Sequence, residues 1–215
     1  MESKKYIEDL SEIKSLMNKS SRFISLSGLS GILAGIYALI AAGIARHLIQ
    51  GNITLFANNS YGKSYAIKRL FASIDLAEDL IILFLITLIL ALGTGIILTI
   101  RKAKKTSEKI WDLSSRRLLL NFVIPLTAGG VFCVILLQYG IIGLIAPATL
   151  IFYGLSLLHA SKYTIGDIRM LGISILILGL IATQFIGYGL YFWAVGFGIF
   201  HIIYGARMYF KYDRA

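Results

Sequence analysis

Charged residues are scarce in this sequence. They make up 15% of its 215 residues, whereas a soluble domain of this size carries about 25%. Apolar residues reach 57%, and the mean hydropathy is +0.79. The missing charge corresponds to long apolar runs, which exclude an ordinary water-soluble domain and predict an all-α, multi-pass membrane protein.

The sequence has a single cysteine, and it lacks the common catalytic motifs and acidic residues within its apolar runs. Cys133 is the single cysteine, which excludes an intramolecular disulfide and a cysteine-based metal cage. The chain has no GxSxG, no HExxH and no Walker-type phosphate-binding loop. No Asp or Glu falls inside the predicted spans, where coupled carriers commonly place one. We therefore expect no enzymatic activity and no cofactor.

Six apolar segments are long enough to cross a bilayer, which takes roughly 20 residues for each helix. Residues 118–160 would form one helix about 64 Å long at ~1.5 Å per residue, so we expect them to fold back at residues 138–140. Residues 170–210 are predicted to fold back at 187–189 for the same reason. The predicted spans form three hairpins in a single domain, residues 23–215, and cover about residues 23–45, 80–100, 118–137, 141–160, 170–186 and 190–209.

The positive charges are distributed unevenly between the two sides of these spans. With the N-terminus in the cytoplasm, 17 of the 21 Lys and Arg residues fall on the cytoplasmic side. Because short cytoplasmic loops are enriched in Lys and Arg, both termini are predicted to be cytoplasmic, in a cell inner membrane. The four outside are Arg46, Lys63, Lys68 and Arg69.

Three segments outside the spans have distinct compositions. Residues 1–22 carry apolar side chains at helical spacing, which predicts an amphipathic helix lying on the membrane surface or pairing with a second copy. Residues 46–78 are predicted as a long outer loop, in which 63–74 could form a short helix. Residues 101–117 are predicted as a basic inner loop.

The basic inner loop points to lipid contact. Its cations are expected to attract anionic headgroups, and no folded reader domain accompanies them, so a nucleic-acid partner is not expected. A protein partner or a homo-oligomer stays open. The cations of this predicted face are Arg101, Lys102, Lys104, Lys105, Lys109, Arg116 and Arg117.

Small residues recur at helical spacing in the first two spans. Membrane helices associate closely along such rows, so we predict that spans one and two pack against each other, with homodimerisation through span one as the alternative. The predicted packing residues are Gly31, Gly35, Ala38, Ala42 and Gly95.

Prolines, histidines and one asparagine supply a candidate intramembrane polar site. Each proline removes a backbone hydrogen bond, which predicts either a hinge or a static kink. The two histidines lie at similar predicted depth, so they could bind haem or a metal, act as a polar switch, or simply pack. The residues are Asn121, Pro125, Pro147, His159 and His201.

Three glycine- and aromatic-rich motifs carry a resemblance. They are SLSGLSG at 25–31, GDIRMLG at 166–172 and GFGIFHIIYG at 196–205. With them, the chain resembles bacterial six-helix integral membrane proteins of uncharacterised activity over nearly its whole length. The resemblance implies a bacterial inner-membrane setting and transfers no activity.

Three functions are compatible with the sequence. The first is a small sensory, accessory or interaction module that contacts lipid or a protein partner at its cytoplasmic face. The second is a solute or lipid facilitator, suggested by the similar Tyr139-Gly140 and Tyr188-Gly189 turns of the last two hairpins. The third is a haem- or metal-binding protein that uses His159 and His201.

Overall fold

The computed structural model describes residues 27–57, 63–105, 111–164 and 166–213. Regular structure in these ranges is helical, with six principal helices. They are α1 (Gly28–Ala57), α2 (Lys63–Lys105), α3 (Leu113–Gln138), α4 (Ile145–Ala160), α5 (Asp167–Ala182) and α6 (Gly189–Asp213). Short 3₁₀ turns, Ile142–Leu144 and Ser161–Tyr163, flank α4. The all-helical prediction is confirmed for these ranges.

Five of the helices are long and apolar enough to cross a membrane. These candidate spans are Gly28–Gly51, Asp75–Lys105, Leu113–Gln138, Ile142–Tyr163 and Gly189–Asp213. α5 is shorter, at 16 residues. The amphipathic helix predicted for residues 1–22 lies outside the described residues.

Both predicted fold-back points are confirmed. α3 ends at Gln138, and Gly140 follows with φ of 71°. The second turn, between α5 and α6, has Gly187 at φ of 97°. A left-handed backbone of this kind is disfavoured for residues with a Cβ, so glycine permits both reversals.

The short helix predicted for residues 63–74 within the outer loop is present, but the rest of the loop is much shorter than predicted. α1 continues through residue 57 and α2 begins at Lys63, so residues 46–57 and 63–78 are helical. Gly51 lies within a helix although glycine is usual at turns. Helix can continue through one such residue because it costs only about 1 kcal/mol. The basic loop 101–117 is likewise shorter, because 101–105 belong to α2 and 113–117 to α3.

The two prolines occupy different kinds of position. Pro125 lies inside α3, as expected. Pro147 was predicted to interrupt a span, and this is wrong because α4 begins only at Ile145. In the first turn of a helix the backbone N–H has no intrahelical acceptor, so proline is tolerated there. Pro147 is fully buried at this helix start.

The predicted packing of α1 against α2 is confirmed, but the small-residue row of α1 lies against α6. A Cβ on Gly35 would lie 2.6 Å from the carbonyl oxygen of Gly198, and one on Gly31 would lie 3.2 Å from the Cα of Gly205. Gly95 of α2 has no such neighbour within 4 Å. The glycines of α6, Gly198 and Gly205, face this row, whereas the glycines of α2 face away from any neighbour. The row has three- and four-residue spacing and comprises Gly28, Gly31, Gly35, Ala38, Ala42 and Ala45.

A second close crossing joins α4 and α5. A Cβ on Gly154 would lie 2.9 Å from the carbonyl oxygen of Gly172, and one on Gly172 would lie 3.0 Å from that of Gly154. The core forms around this crossing from buried Leu150, Leu157, Leu171 and Ile175. α3 packs along α4, and α2 packs along α1. α4, α5 and α6 therefore form the centre, with α2 and α3 at the periphery.

Candidate functional site: a tyrosine–histidine pair in the core and carboxylates at the basic end

His201 of α6 is buried and hydrogen-bonded through both ring nitrogens. Its Nδ1 lies 3.0 Å from the carbonyl oxygen of Gly196, and its Nε2 lies 2.9 Å from the hydroxyl of Tyr153 in α4. A carbonyl oxygen only accepts hydrogen bonds, so Nδ1 carries the proton. In the neutral ring Nε2 is then the acceptor, and Tyr153 donates to it. The geometry thus determines the tautomer and joins α4 to α6.

The backbone beside His201 departs from α-helical geometry. Residues Ala194–Phe200 form a π-helical segment, and Gly196 lies within it. In a π-helix each N–H bonds five residues back, and such turns are often found at functional sites. The side chain of His201 makes the same five-residue step when Nδ1 donates to Gly196. The histidine therefore supports the altered helix register.

Aromatic rings surround the Tyr153–His201 hydrogen bond. The Phe197 ring centroid lies 5.0 Å from that of Tyr153 and 5.9 Å from that of His201. Phe122 of α3 meets Tyr153 edge-on at 5.9 Å, and Trp193 lies 5.0 Å from Phe197. These rings partly shield the hydrogen bond from solvent, and a hydrogen bond is stronger in a less polar environment. The cluster is thus a packed polar core shared by α3, α4 and α6.

The other members of the predicted polar site do not join His201. His159 is exposed, and Asn121 donates from its side-chain amide to the carbonyl of Arg117 in its own helix, 2.8 Å away. A metal or haem iron at His201 would have to displace Tyr153 or break the bond to Gly196. No group of three or more His, Cys, Asp or Glu that could hold a metal occurs among the described residues. The geometry favours structural pairing over ligation for His201.

We predict that Tyr153→Phe lowers the free energy of unfolding by about 1 kcal/mol, because it leaves Nε2 of His201 without a donor. Thermal unfolding of the detergent-purified protein would measure this. Tyr139→Phe is the matched control, since Tyr139 is 77% exposed, and it should leave the midpoint unchanged. Equal midpoints for the two variants would contradict the role given to this hydrogen bond.

Asp213, at the end of α6, joins three helices at the end of the bundle that holds most of the basic residues. Its Oδ1 lies 2.6 Å from Nζ of Lys102 in α2. Its Oδ2 accepts from the backbone N–H of Gly28, 2.8 Å away, and from the hydroxyl of Ser27. A carboxylate at a helix N-terminus also interacts favourably with the helix dipole. Lys102 and Asp213 are 16% and 10% exposed, so this ion pair is largely shielded from water.

Asp167, the first residue of α5, forms the second carboxylate cluster. Its carboxylate accepts from the Tyr212 hydroxyl at 2.9 Å, from Nζ of Lys211 at 3.1 Å, and lies 3.2 Å from Nε of Arg207. Burial alone would raise the pKa of Asp167, but the bonds from Tyr212 and Lys211 and the nearby positive charges lower it overall. The end of α6 therefore binds α5 through Asp167, and α1 and α2 through Asp213.

The lowered pKa of Asp167 predicts how stability depends on pH. Since the folded pKa lies below the ordinary value of 3.8, its stabilising contribution is complete above that value and is lost as the pH falls through the folded pKa. Asp167→Asn should destabilise the protein at neutral pH and flatten the acid limb of the stability curve. Unfolding midpoints measured from pH 6 to pH 2 would test this. Parallel wild-type and variant curves would contradict it.

The predicted lipid face is divided by these contacts. Lys102 is turned inward to Asp213, so it is not available as predicted, and Lys109 lies outside the described residues. The remaining predicted members Arg101, Lys104, Lys105, Arg116 and Arg117 are exposed. Lys162 and Arg169, at the ends of α4 and α5, are also exposed at this end of the bundle.

Tyr153, Asp167 and Asp213 were missing from the predicted sites. The side chain of Asp167 is only 6% exposed. The signal that could have found the two acids is their isolation in strongly basic surroundings at helix ends.

Comparison of the chain with family models, with curated proteins and with solved structures finds no match.

Proposed function

We propose that this protein is a non-catalytic, six-span inner-membrane module whose cytoplasmic face binds anionic lipid headgroups. Five helices meet the length and hydropathy expected of spans. α5, at 16 residues and about 24 Å by the usual rise per residue, crosses as the sixth by local thinning of the bilayer around it. Both termini then lie on the basic side, in the cytoplasm.

The proposal rests on a division among the cations at the basic end: some form ion pairs with the two carboxylates, and the others are exposed. Asp167 and Asp213 hold the helix ends together with Lys102, Arg207 and Lys211. Seven further cations stay exposed around them: Arg101, Lys104, Lys105, Arg116, Arg117, Lys162 and Arg169. Each exposed cation near an anionic leaflet contributes about 1 kcal/mol of attraction. A positively charged surface is therefore presented to the headgroups.

The packing of the centre supports an interaction module over a facilitator. Leu150, Ile175 and Ser156 are fully buried, and α4 and α5 touch through backbone atoms at Gly154 and Gly172. Within the described residues, no buried side-chain nitrogen or oxygen lacks a hydrogen-bond partner. A path for a polar solute would need buried polar groups that are not already hydrogen-bonded within the protein, so that they could bind the solute.

Lipid-dependent stability tests the proposed function. We expect phosphatidylglycerol to raise the unfolding midpoint of the detergent-purified protein, and phosphatidylcholine to leave it unchanged. The variant K104Q/K105Q/R116Q/R117Q should lose most of this increase. R46Q/K63Q/K68Q/R69Q removes four cations on the predicted outer side, so it should respond as the wild type does. An equal response to both lipids would overturn the proposal.

Membrane topology needs its own measurement. A fluorescent protein fused after residue 215 should fold and fluoresce in cells, whereas alkaline phosphatase at the same position should be inactive. Fusions after residue 184, in the α5–α6 turn, should show the opposite pattern. Active phosphatase at the C-terminus would reject the orientation, and an inactive one after residue 184 would reject α5 as a span.

A further inference from the structure

Arg207 and Lys211 of α6 are ion-paired and yet exposed. Nε of Arg207 lies 3.2 Å from Oδ1 of Asp167, and Nζ of Lys211 lies 3.1 Å from Oδ2. Their side chains are nevertheless 62% and 53% exposed, whereas the side chain of Asp167 is buried. Two positive groups are therefore held side by side over one negative group, and the cluster keeps an excess of positive charge toward solvent.

The shared carboxylate brings these two cations within reach of a single phosphate. The oxygens of a phosphate are about as far apart as those of a carboxylate, so a phosphate on the exposed side can contact both cations that Asp167 contacts from the buried side. Arg207 approaches Asp167 through Nε, which leaves its two terminal nitrogens for the bidentate contact that guanidinium makes with phosphate. Lys211 has three donors and directs one to Asp167. The two cations are thus positioned before an anion binds, which lowers the cost of binding.

The same side of α6 continues as an apolar strip toward the middle of the candidate span. Ile199, Ile203, Arg207 and Lys211 follow one another at four-residue spacing, and all four are exposed. Residues four apart lie on one side of a helix. Ile203 precedes Arg207 by one turn, about 6 Å at the usual rise per residue. A cationic end with an apolar strip behind it matches the two halves of a phospholipid, and both belong to one helix.

We infer that an anionic glycerophospholipid binds along this exposed side of α6, with its phosphate on Arg207 and Lys211 and an acyl chain beside Ile203. The inference rests on the proposed function and deepens it: one lipid is held at a defined place, while the rest of the basic face attracts headgroups without a fixed position. The excess positive charge selects an anionic headgroup, and the isoleucines select a lipid over free phosphate. Asp167 is a positioning residue, since it orients the two cations and does not face the lipid.

A tryptophan in place of Ile203 would report the lipid beside the site. Ile203 is exposed, so a larger side chain can be accommodated there. Trp111 and Trp193, the two natural tryptophans, are replaced by phenylalanine so that one fluorophore remains. The matched position is Leu120 of α3, which is also exposed and follows the exposed Arg116 by one turn. Each protein would be reconstituted in phosphatidylcholine vesicles with a small fraction of brominated phosphatidylglycerol or, for comparison, brominated phosphatidylcholine.

We expect brominated phosphatidylglycerol to quench the Ile203→Trp protein at a fraction several-fold lower than brominated phosphatidylcholine requires. The Leu120→Trp protein should show a smaller preference, because only the general attraction of the basic face acts there. Arg207→Gln should lower the preference at position 203 about fivefold, whereas Arg116→Gln removes the same charge from α3 and should leave it unchanged. Inorganic phosphate should not displace the lipid. Equal preference at the two positions, equal loss in the two glutamine variants, or displacement by phosphate would overturn the site.

Two further variants separate the arrangement of the charges from their number. D167N/R207Q/K211Q removes the whole cluster without leaving a buried carboxylate unpaired, so it should reconstitute and show no preference at position 203. Asp167→Asn alone makes the cluster more positive but no longer holds the two cations together by charge, so the preference should fall. A preference that persists in the triple variant, or that rises in Asp167→Asn, would contradict the assigned site.

Failure of the site and failure of the proposed function give different results. If phosphatidylglycerol raises the unfolding midpoint while Ile203→Trp shows no greater preference than Leu120→Trp, the α6 site is wrong and the general lipid face stands. If phosphatidylglycerol neither raises the midpoint nor quenches preferentially at either position, both are wrong.

Discussion

Gly205→Leu should prevent stable packing of α1 against α6. Even a Cβ at this position would lie 2.6 Å from the backbone nitrogen of Ile32 and 2.8 Å from the carbonyl oxygen of Gly28. Both are backbone atoms, so no side-chain rotation can relieve the overlap, and the helices must separate. We expect a loss of about 3 kcal/mol or more, at the upper end of the usual cost of overpacking. Size-exclusion chromatography after heating would measure it.

Gly95→Leu is the matched control for this helix contact. Gly95 also lies in a helix, but a Cβ there would meet nothing within 4 Å. The same change in volume should therefore stay within about 0.5 kcal/mol of wild type. If Gly205→Leu unfolds at the wild-type temperature, or if Gly95→Leu is equally damaging, the close contact of α1 with α6 is wrong.

Asp213→Ala should have the second-largest effect. It leaves the largely buried ammonium of Lys102 without its carboxylate, and it removes the acceptor of the Gly28 N–H and the Ser27 hydroxyl. Losing one partner of a deeply buried pair costs about 3–5 kcal/mol. We expect about 2 kcal/mol here because both side chains retain some solvent contact. Thermal unfolding at low and high salt would measure the loss.

A second substitution tests whether the uncompensated charge is the cause. Lys102→Met in the Asp213→Ala background should recover part of the lost stability, because it removes the ammonium that has lost the Asp213 carboxylate and keeps an apolar stem. Lys104→Met is the control, since Lys104 is exposed and should give no recovery. If Lys102→Met further destabilises the Asp213→Ala variant, the stability that Asp213 contributes does not come from its ion pair with Lys102.

Much of the fold was predictable because hydropathy depends only on local sequence. Apolar length identified six helices, and the length limit of a span located the turns at Gly140 and Gly187. Helix ends were less predictable, since a helix can extend beyond its apolar stretch. α1 continues past the exposed Arg46, and that is why the outer loop is shorter than predicted.

The partners of helices were not predictable from a single chain. A row of small residues shows that a helix makes a close contact, but not which helix it meets. The small residues of α2 predicted contact with Gly31 and Gly35, whereas these two glycines lie against Gly205 and Gly198 of α6. Tyr153 was unpredictable for the same reason, because its significance comes from His201, 48 residues away.

The position of Asp213 in the chain has a consequence for biosynthesis. Ser27, Gly28 and Lys102 all bind the carboxylate of Asp213, which follows them in the chain by 111 residues or more. Translation proceeds from the N-terminus, so the first hairpin is inserted more than 100 residues before its partner is made. Until then the small-residue face of the hairpin cannot pack against α6, and the Lys102 ammonium cannot pair with Asp213. The first hairpin is therefore the part of the nascent protein most dependent on protection by the insertion machinery, and truncation before Asp213 should leave it the first target of membrane proteases.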